Sequence, residues 1–195
     1  MRVLVPVFAL VFAIACACAT SSAPSPASPS GAAASPSVVS DVSGPAATAV
    51  IEPRSGSTVS GTAWFNSASD GLKAHVEVQG ATPGKHGVHF HEKGDCSDPK
   101  AASAGGHYNP TTSPHHGGPH TAVRHGGDLG NIEVDANGKG TLDVVVLDLS
   151  VASLQNGIVG RSIVVHETVD DLVTDPAGNS GARLGCGVVQ AAPAK

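Results

Sequence analysis

The stretch Asn131-Ile132-Glu133-Val134-Asp135-Ala136-Asn137-Gly138-Lys139-Gly140-Thr141-Leu142-Asp143-Val144-Val145-Val146 decides the fold class. Two runs rich in β-branched residues flank Asn137-Gly138, a pair that readily takes the positive φ angles of a tight hairpin. Outward from it the same grammar repeats. Ala49–Ile51, Thr58–Phe65, Lys73–Val78 and Gly87–His91 precede the hairpin, with Asp70-Gly71 as a second turn signal. Ile163–His166 and Leu184–Gln190 follow it and bring the count to eight strands. No stretch carries a sustained helical period with caps. The expectation is an all-β chain: an eight-stranded Greek-key β-barrel or sandwich, immunoglobulin-like, with two long loops over 92–127 and 167–183. Loops of that length are usually functional.

The chain has 195 residues, enough for one domain with appended segments. Met1–Ala19 reads as an export signal: Arg2, an apolar run from Val3 to Ala15, then small residues. The run is short of the ~20 apolar residues a membrane-spanning helix needs. Ala13-Ile14-Ala15-Cys16 resembles a bacterial lipobox, which makes Cys16 the lipidation candidate and Cys18 a second; cleavage near Ala19 would discard both. Residues 20–45, rich in Ala, Ser and Pro, read as a flexible tether, and 46–195 as the folded domain. An exported product, in the periplasm, cell envelope or medium, meets oxidising conditions. A disulfide is therefore expected between the two remaining cysteines, Cys96 and Cys186. Closing a loop of about 90 residues is worth roughly 4–5 kcal/mol on chain-entropy grounds.

Charged residues are only 14% of the chain and the net charge is −5, so a basic face that reads nucleic-acid phosphates is excluded. Ten histidines against 11 Lys+Arg is the anomaly, and it asks for metal or proton chemistry. In Val88-His89-Phe90-His91 a strand's period of two puts both imidazoles on one face. His107, His116 and His125 are equally spaced in a Gly/Pro-rich loop and are followed by Asp128; three imidazoles and a carboxylate are what tetrahedral zinc takes. His166 ends an apolar strand. His75 and His86 read as solvated, and His115 and His120 as surface loop residues.

Gly87-Val88-His89-Phe90-His91-Glu92, Gly105-Gly106-His107-Tyr108-Asn109-Pro110, His116-Gly117-Gly118-Pro119, Arg124-His125-Gly126-Gly127-Asp128 and Gly181-Ala182-Arg183-Leu184-Gly185-Cys186-Gly187 resemble the signatures of the copper/zinc superoxide dismutase family. The resemblance runs from about Ala46 to Gln190. It implies copper on His89, His91, His107 and His166, and zinc on His107, His116, His125 and Asp128, with His107 bridging the metals. It implies the Cys96–Cys186 disulfide, Arg183 as the arginine that guides the anion to copper, and Asp170 as a carboxylate bonded to one ligand of each metal. The neighbouring His115 is the alternative to His116. The His-Gly-Gly-Pro context and the two-residue gap between His125 and Asp128 favour His116.

The implied activity is dismutation of superoxide to oxygen and hydrogen peroxide by copper redox cycling, with His107 accepting a proton when its copper bond breaks. Its setting would be defence of the cell envelope. The partners implied are superoxide and a membrane only through an N-terminal lipid; a homodimer is a further option, and which surface it would use stays open, because members of the family pair through different surfaces. No Lys lies between His166 and Arg183, so steering is expected to rest on Arg183 and the metals, with weak salt dependence. A metal store would not need Arg183. A zinc hydrolase would need an open zinc position, which four protein ligands close.

Overall fold

A computed structural model describes residues 46–193. Its strands are β1 (Ala47–Pro53), β2 (Ser60–Ala68), β3 (Gly71–Gln79), β4 (Gly84–His91), β5 (Asp128–Val134), β6 (Lys139–Val146), β7 (Ser162–His166), β8 (Arg183–Val188) and β9 (Gln190–Ala191). All neighbours are antiparallel in the order β2-β3-β6-β5-β4-β7-β8-β1-β9, and β1 also pairs with β2. That last pairing closes eight strands into a barrel and removes the open edges a flat sheet would expose. The connection from β3 to β4 passes over β6 and β5, and that from β6 to β7 passes over β5 and β4, which makes the topology a Greek key.

The expected all-β barrel is found, with β9 as an addition. Leu184–Gln190, read as one strand, is two. The main chain of Val189 turns away from β1 to exchange hydrogen bonds with Gly160 and Arg161, and the ladder resumes only at Gln190. The Asn137-Gly138 turn is present: Gly138 has φ 75°, and the Asp135 carboxylate accepts from the N–H groups of Asn137 and Lys139. Export signal and tether, residues 1–45, lie outside the described residues, as do the last two.

Burial follows the period of two where one strand face is wet. In β3, Leu72, Ala74, Val76 and Val78 are buried while Lys73, Glu77 and Gln79 are exposed. Phe65 and Phe90 meet inside the barrel at 5.4 Å between ring centroids. β4 and β7 break the pattern. Every residue from His86 to His91 and from Ser162 to His166 is buried. On these neighbouring strands the outer face is covered by the segments 92–127 and 167–182, so side chains that point out of the barrel are sealed without entering its core. The Cys96–Cys186 disulfide, Cα–Cα 5.8 Å, fastens the first of these segments to β8. This roofed outer face is where the site lies.

Candidate metal centre

Val88 and Phe90 point into the barrel, so His89 and His91 point outward beneath the loops. His166, at the end of the adjacent strand β7, reaches the same space, and its Nε2 lies 3.4 Å from His91 Nε2. His107 arrives from the loop through a bridge with His91. These four histidines form one buried group able to hold a metal ion. His107, His116, His125 and Asp128 form a second, and His107 belongs to both. Every histidine expected as a ligand is brought together, and His116, not His115, joins the second group.

The ring nitrogens divide into those with protein partners and those without. His91 Nδ1 donates to the Gly105 carbonyl at 3.0 Å, and His166 Nδ1 faces that of Gly181 at 3.4 Å. His89 Nε2 donates to Asp170 Oδ2 at 2.9 Å and His116 Nε2 to Asp170 Oδ1 at 2.8 Å. Left buried with no hydrogen-bond partner are His89 Nδ1, His107 Nε2, His116 Nδ1 and His125 Nδ1. Buried polar atoms are rarely orphaned, because each costs about 1–3 kcal/mol. Their convergence fits cations. The Nδ1 atoms of His107, His116 and His125 surround Asp128 Oδ1 at 2.8, 3.1 and 3.4 Å. A tetrahedral zinc with bonds of about 2.0–2.1 Å separates its ligand atoms by about 3.3 Å, so this donor set suits that ion. The all-imidazole group suits copper, which nitrogen ligands hold most tightly in the divalent series.

Electrostatics prepares the two groups differently. Burial, followed by the neighbouring His107 and His166, pushes His89 and His91 well below the usual imidazole range. Burial takes His166 down to about 3. These rings are neutral at physiological pH, with lone pairs available. For His116 burial acts in the same direction, but the Asp128 and Asp170 carboxylates outweigh it and raise the ring to about 9. Burial opposes ionisation of Asp128, yet its contacts with His107 and His116 hold it far below the normal carboxylate range.

Asp170 lies against a ring of each group, its own backbone clamped by Asn131. Asn131 Oδ1 accepts from the Asp170 N–H at 2.8 Å, and Asn131 Nδ2 donates to its carbonyl at 2.9 Å. Arg183 donates to the carbonyls of Ala101 and Gly105 at 2.7 Å each. Gly105 is also the acceptor for His91, so one carbonyl positions the guanidinium relative to a ring of the first group. Arg183 and Lys100 line a surface depression of about 340 Å³ with Ser55, Ala102, Gly181 and Ala182.

Lys100, Asn131 and Arg124 went unassigned in the sequence, and His86 was misread. Lys100 is far from Arg183 along the chain, and only the fold of the 92–107 segment places it there. Asn131 sits in the Gly-Asn that follows Asp128, and its side chain gave no periodic signal. Arg124 is buried and donates to the carbonyls of Pro119 and His125 and to Asp148, fixing the main chain next to a ring of the second group. His86, expected to be solvated, is corrected: it is 2% exposed. Its Nδ1 lies 2.9 Å from the carbonyl oxygen of His166 and its Nε2 2.8 Å from that of Thr82. A neutral imidazole carries one N–H, and these carbonyls offer it an acceptor at either nitrogen, which lowers the cost of burying the ring; β4 begins earlier than expected, at Gly84. The other three bystanders behave as read. His75 lies on the outer face of β3 between Asp143 and Glu77, and His115 and His120 are exposed.

Comparison with known proteins agrees with this geometry. Residues 59–189 match the family model of copper/zinc superoxide dismutase. The chain is 43% identical over 143 residues to a copper-zinc superoxide dismutase of Deinococcus radiodurans, covering 68% of this chain and 78% of that one. It is 46% identical to the extracellular copper-zinc superoxide dismutase of Caenorhabditis elegans, over 66% of this chain and 60% of that one. The corresponding extracellular enzyme of Drosophila melanogaster is 46% identical, over 67% and 75%. The two histidine groups joined at His107, the disulfide and these matches together assign the chain to the copper/zinc superoxide dismutase family, enzymes whose cofactors are copper and zinc.

Proposed function

We propose that the chain dismutates superoxide outside the cytoplasm, with copper held by His89, His91, His107 and His166 and zinc by His107, His116, His125 and Asp128. The observation that carries this reading is the pair of buried groups sharing one imidazole, with unpartnered ring nitrogens aimed into both. Bound copper would supply the one-electron couple that takes an electron from one superoxide and returns it to a second, giving oxygen and then hydrogen peroxide, while zinc supplies charge and orientation. His107 is placed to hold a proton at Nε2, the nitrogen on the side of the first group, while Nδ1 stays on the side of Asp128. Asp170 keeps the His89 and His116 rings turned so that their Nδ1 atoms face inward.

The protein is net negative, and its substrate is an anion. Arg183, fixed by two carbonyls, and Lys100 across the same depression supply the local positive field. With Arg183 and Lys100 the two cations that line the depression among the described residues, the salt dependence of the rate is expected to be shallow. Export through the signal at 1–19, tethering by 20–45 with lipid on Cys16, and protection of the envelope complete the proposal. A disulfide and two extracellular relatives support the export part of this reading. The test is superoxide decay in the metal-loaded protein and its His89→Ala variant. Loss of catalysis in the variant is expected. Equal rates in the two would overturn the ligand assignment.

A further inference from the structure

We infer that Asp175 and His115 form a latch that retains zinc, a positioning role resting on the zinc reading above. The 167–182 segment is tied to His116 twice. One tie is Asp170, which accepts from the ring. The other lies outside either candidate group: Asp175 Oδ1 accepts the main-chain N–H of His116 at 2.7 Å, and Asp175 Oδ2 faces His115 Nδ1 at 2.8 Å. A single carboxylate thus grips the backbone of a zinc residue and the side chain next to it, from a different segment of the chain.

The segment that carries Asp175 is preorganised to do this. Asp171 accepts from the N–H groups of Val173 and Thr174, from the Thr174 hydroxyl and from Asn179 Nδ2. Gly178 N–H donates to the Thr174 carbonyl at 2.7 Å. The turn is also pressed onto the zinc side. Gly178 has φ 62°, and a Cβ there would overlap the Asp170 carboxylate and stand 2.7 Å from His116 Nε2. Only glycine lets the turn close so far. His116 is therefore held at its ring by Asp170 and at its backbone by Asp175, and neither its rotation nor the withdrawal of its loop is free.

A metal leaves such a site by shedding one ligand at a time, and His116 is the ligand with both restraints. Partners of metal-binding side chains typically change affinity by about 10–100-fold when removed. Asp175 and His115 are about half exposed, with side-chain accessibilities of 48% and 62%, which places the effect at the lower end. Asp175→Ala is expected to speed zinc release about tenfold, and His115→Ala, which removes one arm and leaves the backbone contact, about two- to threefold. Asp175→Asn can still accept from the His116 N–H and should stay within about threefold of the natural protein.

The experiment transfers zinc from the full-length, metal-loaded protein to a chromophoric chelator in excess. In parallel, cobalt is placed in the same site, where its visible spectrum reports the geometry of the ligands. Faster release in Asp175→Ala, rescue in Asp175→Asn and an altered cobalt spectrum in the former support the latch. Release at the natural rate in both Asp175→Ala and His115→Ala, from a protein that holds one zinc per chain, overturns the latch and leaves the zinc reading intact. A natural protein that holds no zinc overturns both. Should Asp175→Ala not fold, His115→Ala alone decides between the first two outcomes.

Discussion

Asp170→Ala removes a carboxylate that contacts a ring of each histidine group. Its carboxylate is fully buried and accepts from His89 Nε2 at 2.9 Å, from His116 Nε2 at 2.8 Å and from the Leu172 N–H at 2.7 Å. Truncation leaves two imidazole N–H groups without an acceptor in a region closed to water. A buried donor left unsatisfied costs about 1–3 kcal/mol. Each ring can escape that cost only by turning, or by moving its proton to Nδ1, the nitrogen that faces the metal group. Either escape spends the ligand. The penalty should therefore appear as lost metal affinity: about 1.4–2.7 kcal/mol for the 10–100-fold loss typical when such a partner is removed. The two magnitudes agree, and they apply to copper through His89 and to zinc through His116. Asn131 grips the Asp170 main chain through both its N–H and its carbonyl, so the backbone survives the truncation. The assay is competition of each metal against a chelator of known affinity, with the two metals followed separately. Weakening of both by one to two orders of magnitude is expected. Unchanged affinity for both would refute the claim that Asp170 sets the ring orientations.

Lys100→Glu reverses one of the two cations at the depression. It should lower the rate of superoxide loss several-fold at low ionic strength, and the deficit should shrink as salt screens it; a rate equal to the natural protein's at low salt would remove Lys100 from steering. Zinc affinity should depend on pH with a sign fixed by His116. In the metal-free protein its ring is held protonated up to about 9, so zinc displaces a proton. Affinity should rise by about a decade per pH unit through neutrality and level off near 9, as read by zinc titration in non-coordinating buffers. The same shift stabilises the metal-free fold below the unfolded value of 6.5, a contribution lost as pH rises through 9. Phe90→Ala opens a cavity against Phe65 in the barrel and should cost about 3–5 kcal/mol in urea unfolding of the metal-loaded protein.

What could be read in the chain, and what could not, separates along local and nonlocal lines. Period two on Val88-His89-Phe90-His91 is a local property, and so is the turn chemistry of Asn137-Gly138. Both survive intact in β4 and in the β5–β6 hairpin. The ligand spacing was legible because His107, His116, His125 and Asp128 all fall in one Gly/Pro-rich stretch of the chain. His86 was misread because its burial depends on two carbonyls, one of them 80 residues away on β7. Lys100 and Asp175 had no signal for the same reason. Lys100 matters only because its segment folds back beside Arg183, and Asp175 because its turn closes on His116. Val189 shows the converse: a good β-former in a good β-run, drawn out of the ladder by the main chain of Gly160 and Arg161.

The function proposed for this site requires two metal groups that share His107 and together turn over superoxide. It is tested most directly by measuring copper and zinc per chain in the purified protein together with its rate of superoxide loss. One copper and one zinc per chain, with superoxide consumed catalytically and far faster than it decays unaided, is the predicted result. Both metals bound in those amounts, with superoxide decaying no faster than in buffer, would contradict it.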